Sequence, residues 1–438
     1  MKNVNRINKK VGLIALGCDK NRVDAEKLLA NLVDYGFEIS PTVEGSDVLI
    51  INTCAFLQTS RDEAIQEMDN AIQSKKDGLV EKIVVTGCLN SYIDDLPKEY
   101  LENVDLFLPI KENINIVNHV LELYNQANVE CKLVTTRILT TPSHTAYLKI
   151  ADGCNNGCSY CAIPKIRGAY YSIPKEELIN EAKTLVQSGV VEIILIAQDV
   201  LRYGKDLYGD YKIVELIQEL SLISGLRWIR LLYCYPELIS EELLNEFDKN
   251  EKLCKYIDVP LQHVNDRILK SMNRRNNKQQ ATEIIKKLQQ KGISIRSTFI
   301  VGYPGETRKE YKELIDFLKA NKLDNVGFFE YSNERGTRSF SLPDQVDNVV
   351  KQKRCRKLYK LQTKIYKAKQ KKMIGKEVVV LVDSFDESSN VYVGRTEQNS
   401  LDVDSVVLLV TNKSIQCGTF VKVHIIETKN IDLIGVVL

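Results

Sequence analysis

Alternation constrains this chain more than any other feature. Between residues 146 and 331, six strand-like runs follow one another: Ala146–Ile150, Glu192–Ala197, Trp228–Tyr233, Tyr256–Pro260, Ser297–Val301 and Val326–Tyr331. Helix-like stretches separate them, notably Lys175–Gln187, Gln279–Gln290 and Glu306–Ala320. Strands alternating with helices pair in parallel, because each helix carries the chain back along the sheet before the next strand begins. Six such repeats suit an open, partial α/β barrel, with chemistry at the carboxyl ends of the strands.

The same alternation opens the chain. Three apolar runs each end in cysteine: Val11–Cys18, Asp47–Cys54 and Glu81–Cys88. Helix-like segments Asp24–Tyr35 and Gln58–Gln73 follow the first two, which predicts an amino-terminal open parallel α/β sheet. Binding groups in such sheets collect beyond the strand carboxyl ends, so Cys18, Cys54 and Cys88 are expected to meet at one edge despite separations of 36 and 34 residues. Any one of them alone reads as a small buried residue. Three at equivalent positions read as a three-thiolate site. Asn21, Asp24 and Asn52 flank these strand ends and either orient that site or serve as turn and cap residues.

A second triad is local. Cys154-Asn155-Asn156-Gly157-Cys158-Ser159-Tyr160-Cys161 follows the first strand of the barrel region, where barrel chemistry belongs. Three converging thiolates select zinc or an iron–sulfur cluster. A structural zinc site uses four protein ligands, commonly two paired knuckles, and no second knuckle lies at a plausible distance. Three cysteines suit a 4Fe-4S cluster in which one iron has no protein ligand and is open to a small molecule. Cys131 has no partner spacing and reads as structural.

Other motifs fall at later strand ends. Gly302-Tyr303-Pro304-Gly305-Glu306 follows the fifth strand; its glycines let backbone approach a nucleoside closely, although a Gly/Pro turn capping a helix looks the same. Leu195-Ile196-Ala197-Gln198-Asp199 ends the second strand and Pro260-Leu261-Gln262-His263 the fourth. A histidine after a strand is usually a hydrogen-bonded structural group, but its place at the catalytic rim gives His263 a functional reading as well.

The chain has 438 residues, 44% hydrophobic and 27% charged, ordinary for a soluble protein of two or three domains. The opening MKNVNRINKK lacks an apolar segment of the signal-peptide kind, and the longest apolar run, Val190 to Ala197, is broken by Glu192. A cytoplasmic, membrane-free protein is expected, in which eleven cysteines serve metal or catalytic roles rather than disulfides. The net charge of +2 is uneven: Lys351 to Lys372 holds eleven Lys/Arg and no Asp/Glu. That run reads as one helix, by default a solvated connector, with RNA contact as the alternative. After Gly375, short β-rich runs (Val378–Val382, Val391–Gly394, Val406–Val410, Phe420–Ile426) predict a small antiparallel barrel of the oligonucleotide-binding type. It carries five basic and nine acidic residues from Lys376 to Leu438, a balance of −4 that suits a basic protein partner better than phosphate. The expected domains are 1–142, 143–372 including the basic helix, and 373–438.

The motifs GCDKNRVDAE, INTCAF, VTGCL, YLKIADGCNNGCSYCAIPKIRG, DVPLQH, FIVGYPGE and EYSNERGT make the sequence resemble the radical S-adenosylmethionine (SAM) methylthiotransferases along nearly its whole length. GCDKN, LIAQDVLRYG and LPDQV resemble the branch that modifies an aspartate of ribosomal small-subunit protein twelve, rather than the branches that modify tRNA adenosine. One departure is Ile173 in Ser172-Ile173-Pro174, where many members carry a basic residue; it touches substrate docking, not chemistry.

The resemblance implies a methylthiotransferase domain, a radical SAM domain and a carboxyl-terminal TRAM barrel. It implies that Cys154, Cys158 and Cys161 ligate the radical SAM 4Fe-4S cluster and that Cys18, Cys54 and Cys88 ligate an auxiliary one. It also implies SAM contacts from Tyr160, Gln198, His263, Gly302 and Gly305. No side chain acts as acid, base or nucleophile, since the cofactors carry the radical chemistry. The expected partners are the ribosomal protein, an electron donor such as flavodoxin or ferredoxin, and a sulfur donor.

Overall fold

The computed structural model describes residues 9–126, 129 and 136–438, so Cys131 lies outside the described residues. The chain divides into two compact units: residues 1–140 with 162–169, and residues 141–161 with 170–438.

The first unit is a five-stranded parallel sheet. Its strands are β1 (Lys10–Ala15), β2 (Glu38–Ile39), β3 (Val48–Thr53), β4 (Lys82–Gly87) and β5 (Leu106–Pro109), in the order β2-β1-β3-β4-β5. Central β3, Val-Leu-Ile-Ile-Asn-Thr, is buried throughout. Period two explains this: Leu49 and Ile51 face one core with Ala64, Met68 and Ile72 of α2 (Gln58–Lys76). Val48 and Ile50 face the other, with Leu28 and Leu32 of α1 (Asp19–Asp34) and Val117 and Val120 from the helix Ile116–Leu123.

One boundary departs from the sequence expectation, and the structure fills in two segments for which none was set. Helix α1 begins at Asp19 rather than Asp24, since Cys18 takes extended backbone as its N-cap and Asp19 supplies the acidic first turn. β4 leads into a 3-10 turn, Cys88–Asp95, and then α3 (Lys98–Asn103). The segment after Asp105 holds edge strand β5 and α4 (Ile116–Leu123). Helix α5 (Ile163–Arg167), which follows the local cysteine triad in the chain, belongs to this unit and places Ile166 in its core.

In the second unit, strands β6 (Thr145–Lys149), β9 (Glu192–Ile196), β10 (Trp228–Leu231), β11 (Leu253–Asp258), β12 (Ser294–Val301) and β13 (Asn325–Glu330) form a six-stranded parallel sheet in the order β13-β12-β11-β10-β9-β6. A small ribbon, β7 (Ala151–Asp152) with β8 (Tyr171–Ser172), follows β6. The crossovers are α6 (Lys175–Gln187), α7 (Ile213–Ser221), α8 (Glu241–Lys249), α9 (Asp266–Ser271) with α10 (Lys278–Gln290), and α11 (Arg308–Asn321). Capping boxes start α10 at Asn277 and α11 at Thr307.

The basic run forms α12 (Asn348–Gln370), which is more than a solvated connector. Its Cys355, Leu358 and Gln362 are buried, and the Tyr359 hydroxyl donates to the Phe328 carbonyl at 2.9 Å, so one helical face covers the open edge at β13. Beyond it, β14 (Glu377–Asp386), β15 (Val391–Arg395), β16 (Val407–Val410), β17 (Phe420–Lys429) and β18 (Asp432–Val437) close a barrel around Val380, Val382, Val407, Leu409, Val423, Ile425 and Leu433. It is antiparallel except where β18, a strand the sequence reading missed, pairs in parallel with β16.

The barrel is held to the sheet by buried charge. Arg395 Nη2 lies 2.7 Å from Glu192 on β9, and Arg230 Nε lies 2.8 Å from the same carboxylate, all three at 0–2% exposure. Burial disfavours the Glu192 carboxylate, but the two guanidiniums outweigh it and hold its pKa down at about 2. Asp383 completes the set, pairing with Arg395 at 2.7 Å and with His144 at 3.0 Å.

Candidate functional site

In the first unit, the parallel register pairs Ala15 with Asn52 and Thr53 with Gly87. Cys54 and Cys88 therefore leave adjacent strands side by side, and Cys18 starts α1 after the turn at Gly17. A Cβ placed on Gly17, at φ +95°, would stand 3.0 Å from the Cys54 sulfur, so glycine is what lets this turn close on the thiol. Burial pushes the Cys88 thiol up to about 12; Arg167 of α5 opposes that shift, and the neighbouring Cys18 and Cys54 add to it. The three cysteines thus sit within electrostatic reach of one another although far apart in sequence.

The expected supporting residues work as a scaffold. Asn21 donates its amide to the carbonyl of Leu16 at 2.5 Å and to that of Thr53 at 3.2 Å, while Asn52 donates back to the Asn21 carbonyl at 2.8 Å. Asp24 pairs with Arg167 at 2.6 Å, and Arg167 also donates to Asn21 Oδ1 at 3.1 Å. Sequence reasoning missed Arg167, since nothing local distinguishes it from a surface arginine; a helix borrowed from beyond the second triad brings it to the first.

In the second unit the triad lies on the loop after β7. Cys154 and Cys158 are buried and Cys161 is partly exposed. Almost every residue between them is tied down. Tyr170 N–H donates to Asn155 Oδ1 at 3.1 Å, and Asn156 donates to buried Asp199 at 3.0 Å while accepting from Arg202 at 2.9 Å. Asn273 and Arg338 both donate to the Gly157 carbonyl. Ser159 Oγ lies 2.8 Å from the Tyr303 hydroxyl, and its backbone accepts from Ser339 at 2.9 Å. A loop pinned from five later elements is preorganised to hold its thiols in one geometry.

Beside Cys158, Asn156, Tyr235, Glu237, Asn273, Arg274 and Arg275 line a cleft too narrow to admit a water molecule. The Tyr235 hydroxyl is 3.7 Å and Arg274 Nη1 is 3.9 Å from the Cys158 sulfur, with the guanidinium stacked over the Tyr235 ring at 4.1 Å. Burial, and then Cys158, push the Tyr235 phenol well above its usual pKa, so it keeps a proton that it can donate toward sulfur. Burial alone would lower the Arg274 pKa, but Tyr160, Tyr235 and Cys158 hold it raised, leaving a permanent cation there. Neither residue was foreseen; each arrives from a loop without a motif.

The remaining predicted residues lie around this loop. Tyr160 packs against Ile268, Met272, Tyr303 and Tyr331. Gln198 donates to Asp152 at 2.8 Å, and its Oε1 is buried with no hydrogen-bond partner among the described residues. His263 is fully buried: its Nδ1 accepts from Asn265 N–H at 3.0 Å, and its Nε2 faces Glu306 at 3.6 Å. Glu306 in turn accepts from Gly302 N–H at 2.8 Å and from Arg354 at 2.5 Å. What approaches Gly302 is Lys351 of α12, whose Cγ would lie 2.4 Å from an added Cβ; the space beside Gly305 is looser, with Arg267 at 3.5 Å.

Three thiols on a rigid loop with a cation and a phenol donor beside them suit a cluster with one open iron, and polar atoms left unpartnered near the strand ends suit a polar ligand beside it. Among the described residues, no set of three His, Cys, Asp or Glu is arranged to hold a single metal ion.

Comparison with known proteins agrees with this geometry. Residues 148–318 match the Radical SAM superfamily, residues 10–108 match an uncharacterized protein family, UPF0004, and residues 374–438 match the TRAM domain. The chain is 42% identical to the ribosomal protein uS12 methylthiotransferase RimO of Desulforamulus reducens, across 97% of this chain and 98% of that one. It is 44% identical to the protein of the same name from Clostridium kluyveri, across 98% of each. The chain belongs to the RimO family of methylthiotransferases.

As a RimO-family radical SAM enzyme it shares its fold with distant proteins. The radical SAM methyltransferase TsrM of Kitasatospora setae, solved with cobalamin and a 4Fe-4S cluster bound, superposes with a TM-score of 0.55 at 12% identity, covering 76% of this chain and 77% of that one. Membership implies a 4Fe-4S cluster and SAM, and the expected three-part α/β architecture stands. No described helix is long and apolar enough to cross a membrane.

Proposed function

We propose that this enzyme adds a methylthio group to the β-carbon of an aspartate in ribosomal protein uS12, with Cys154, Cys158 and Cys161 holding the SAM-cleaving 4Fe-4S cluster and Cys18, Cys54 and Cys88 an auxiliary one. The observation that carries this reading is the presence, in one RimO-family chain, of two cysteine triads, each with three thiols where a cubane has four irons. Bound clusters and SAM supply an electron, a carbon-centred radical able to take hydrogen from an unactivated carbon, and sulfur, chemistry beyond the reach of side chains.

The chain's own groups bind, orient and tune. Asn156, Gly157 and Ser159 fix the loop through the bonds described above, so the thiols meet incoming iron without reorganising. Arg274 and Tyr235 direct positive charge and a phenol group at the Cys158 sulfur. Arg167 does the same for the other triad, against the burial of Cys88. Tyr160, Gln198, His263, Gly302 and Gly305 are assigned to the surroundings of SAM, with Gln198 Oε1 and His263 Nε2 as its unsatisfied polar groups. A ribosomal substrate places the work in the cytoplasm. A flavodoxin- or ferredoxin-like reductant and a sulfur donor complete the requirement.

The test is mass spectrometry of ribosomal proteins and tRNA from cells lacking this chain. Loss of a methylthio mass from uS12 with tRNA unchanged is expected; an unmodified tRNA adenosine beside intact uS12 would move the enzyme to the tRNA branch.

A further inference from the structure

Of the eleven basic residues between Lys351 and Lys372, the structure accounts for three. Lys351 is buried and donates to the Tyr331 carbonyl at 2.9 Å, Arg354 pairs with Glu306 at 2.5 Å, and Lys369 pairs with Asp324 at 2.6 Å. Lys353, Arg356, Lys357, Lys360, Lys364 and Lys367 are exposed, and among the described residues none of these six makes an ion pair. At 3.6 residues per turn these six fall within an arc of roughly 100° along about 21 Å of α12. Lys371 and Lys372 prolong the row into the next turn, Lys371–Met373. The opposite face holds Cys355, Leu358 and Gln362 against the sheet, so the helix is divided into a core side and a side dominated by these cations, with Val349 exposed ahead of the first of them. Six like charges in one stripe repel one another, a cost that the fold of this chain does not offset.

We infer that this stripe is a docking surface for the phosphate backbone of folded RNA. The inference deepens the proposed function, since a substrate that is part of the small ribosomal subunit is surrounded by RNA. A row of point charges whose exposed apolar neighbour, Val349, stands before the first of them rather than among them matches a repeating phosphate lattice, which is read by position rather than sequence. An acidic peptide would need aromatic or apolar anchors among the cations to set its register. An anionic membrane would need the apolar face of the helix, which is already buried in the enzyme's own sheet. The TRAM barrel is the weaker candidate for phosphate: it carries five basic against nine acidic residues, and one of the five, Arg395, is buried in the Glu192 pair. The RNA-facing surface of this enzyme is therefore the helix that precedes the barrel.

The test uses the full-length chain and a fluorescein-labelled RNA hairpin, titrated over a range of salt concentrations. Replacing Lys357, Lys360, Lys364 and Lys367 together by glutamine is expected to weaken binding at least tenfold at moderate salt and to lower the salt slope by about one per lysine removed. The four-arginine variant is expected to bind like the unsubstituted chain. Thermal melting of the glutamine variant is expected not to fall and to rise slightly, because no intramolecular pair is lost and like-charge repulsion is relieved. On isolated small subunits, the glutamine variant is expected to methylthiolate uS12 more slowly while still forming 5′-deoxyadenosine from SAM. No measurable hairpin binding by the unsubstituted chain, binding that ignores the substitutions, or equal stripe-dependent binding to phosphatidylserine vesicles or polyglutamate would each overturn the inference. Stripe-dependent hairpin binding without any methylthiolation of uS12 would sustain the surface and refute the proposed reaction instead.

Discussion

The two cysteine triads reach the same stoichiometry by opposite routes. In the second unit, three thiols lie within eight residues on one loop, and distant residues such as Asn273, Arg274, Tyr303 and Ser339 come to that loop to immobilise it. In the first unit, the thiols come from three different strands, and the parallel register of β1, β3 and β4 does the gathering. The local site depends on what holds its loop. The dispersed site depends on the strand ends staying level. The glycines show the same contrast: a Cβ on Gly87 would meet Thr53 carbonyl oxygen at 2.5 Å, whereas one on Gly157 would find nothing nearer than 3.6 Å.

The largest expected effect separates the two triads by chemistry. Cys158→Ala should abolish both 5′-deoxyadenosine formation and methylthio transfer, whereas Cys54→Ala should abolish transfer and leave SAM cleavage measurable. Each should lower iron in the anaerobically reconstituted enzyme from about eight to about four per chain. Equal loss of SAM cleavage in both variants would show that the sites do not divide the work.

Gly87→Ala tests dependence on strand ends. Gly87 has φ 91° and ψ −152°, a region open essentially to glycine alone, and the added methyl meets backbone. The variant should lose about 3 kcal/mol or more in denaturant unfolding, and its auxiliary iron with it. Retention of full iron would mean that the register is not what aligns Cys88.

Glu192→Gln probes the amino end of β9, the end remote from the second triad. Glu192 has its pKa lowered to about 2 from 4.5 by Arg395 and Arg230, against burial. Its contribution is thus fully present above pH 4.5 and is lost as pH falls toward 2, amounting to about 3 kcal/mol. Melting temperatures of the unsubstituted chain should fall steeply through that window, and the glutamine variant should start lower and change less. The thiol loop should load iron as before at neutral pH. The smallest effect belongs to Gly157→Ala, where only the positive φ of 63° resists: about 1 kcal/mol, with iron content unchanged.

Legibility followed the same division. The local triad could be read directly because its ligands share one stretch of chain. The dispersed one could be read only through the equivalence of three strand ends, and the structure brings Cys18, Cys54 and Cys88 within electrostatic reach of one another. Strand β5 was invisible as a four-residue edge strand, and β18 as a run with little alternation. The default reading of α12 as a solvated connector failed because the segment's charge masked a buried face at Cys355, Leu358 and Gln362. Arg167, Arg274 and Tyr235 had no sequence signal, since each acts on a sulfur far from it in the chain or across a turn.

Sequence by itself determined the repeating βα order, the six candidate thiols and the sign of the charge in each region, because these are set by residue type and short-range periodicity. Only the tertiary structure decided which guanidinium faces which sulfur, how Glu192 and two arginines fasten the small barrel to the sheet, and which six cations of α12 are left facing solvent. The reason is physical: such pairings depend on distances fixed by packing among residues far apart along the chain.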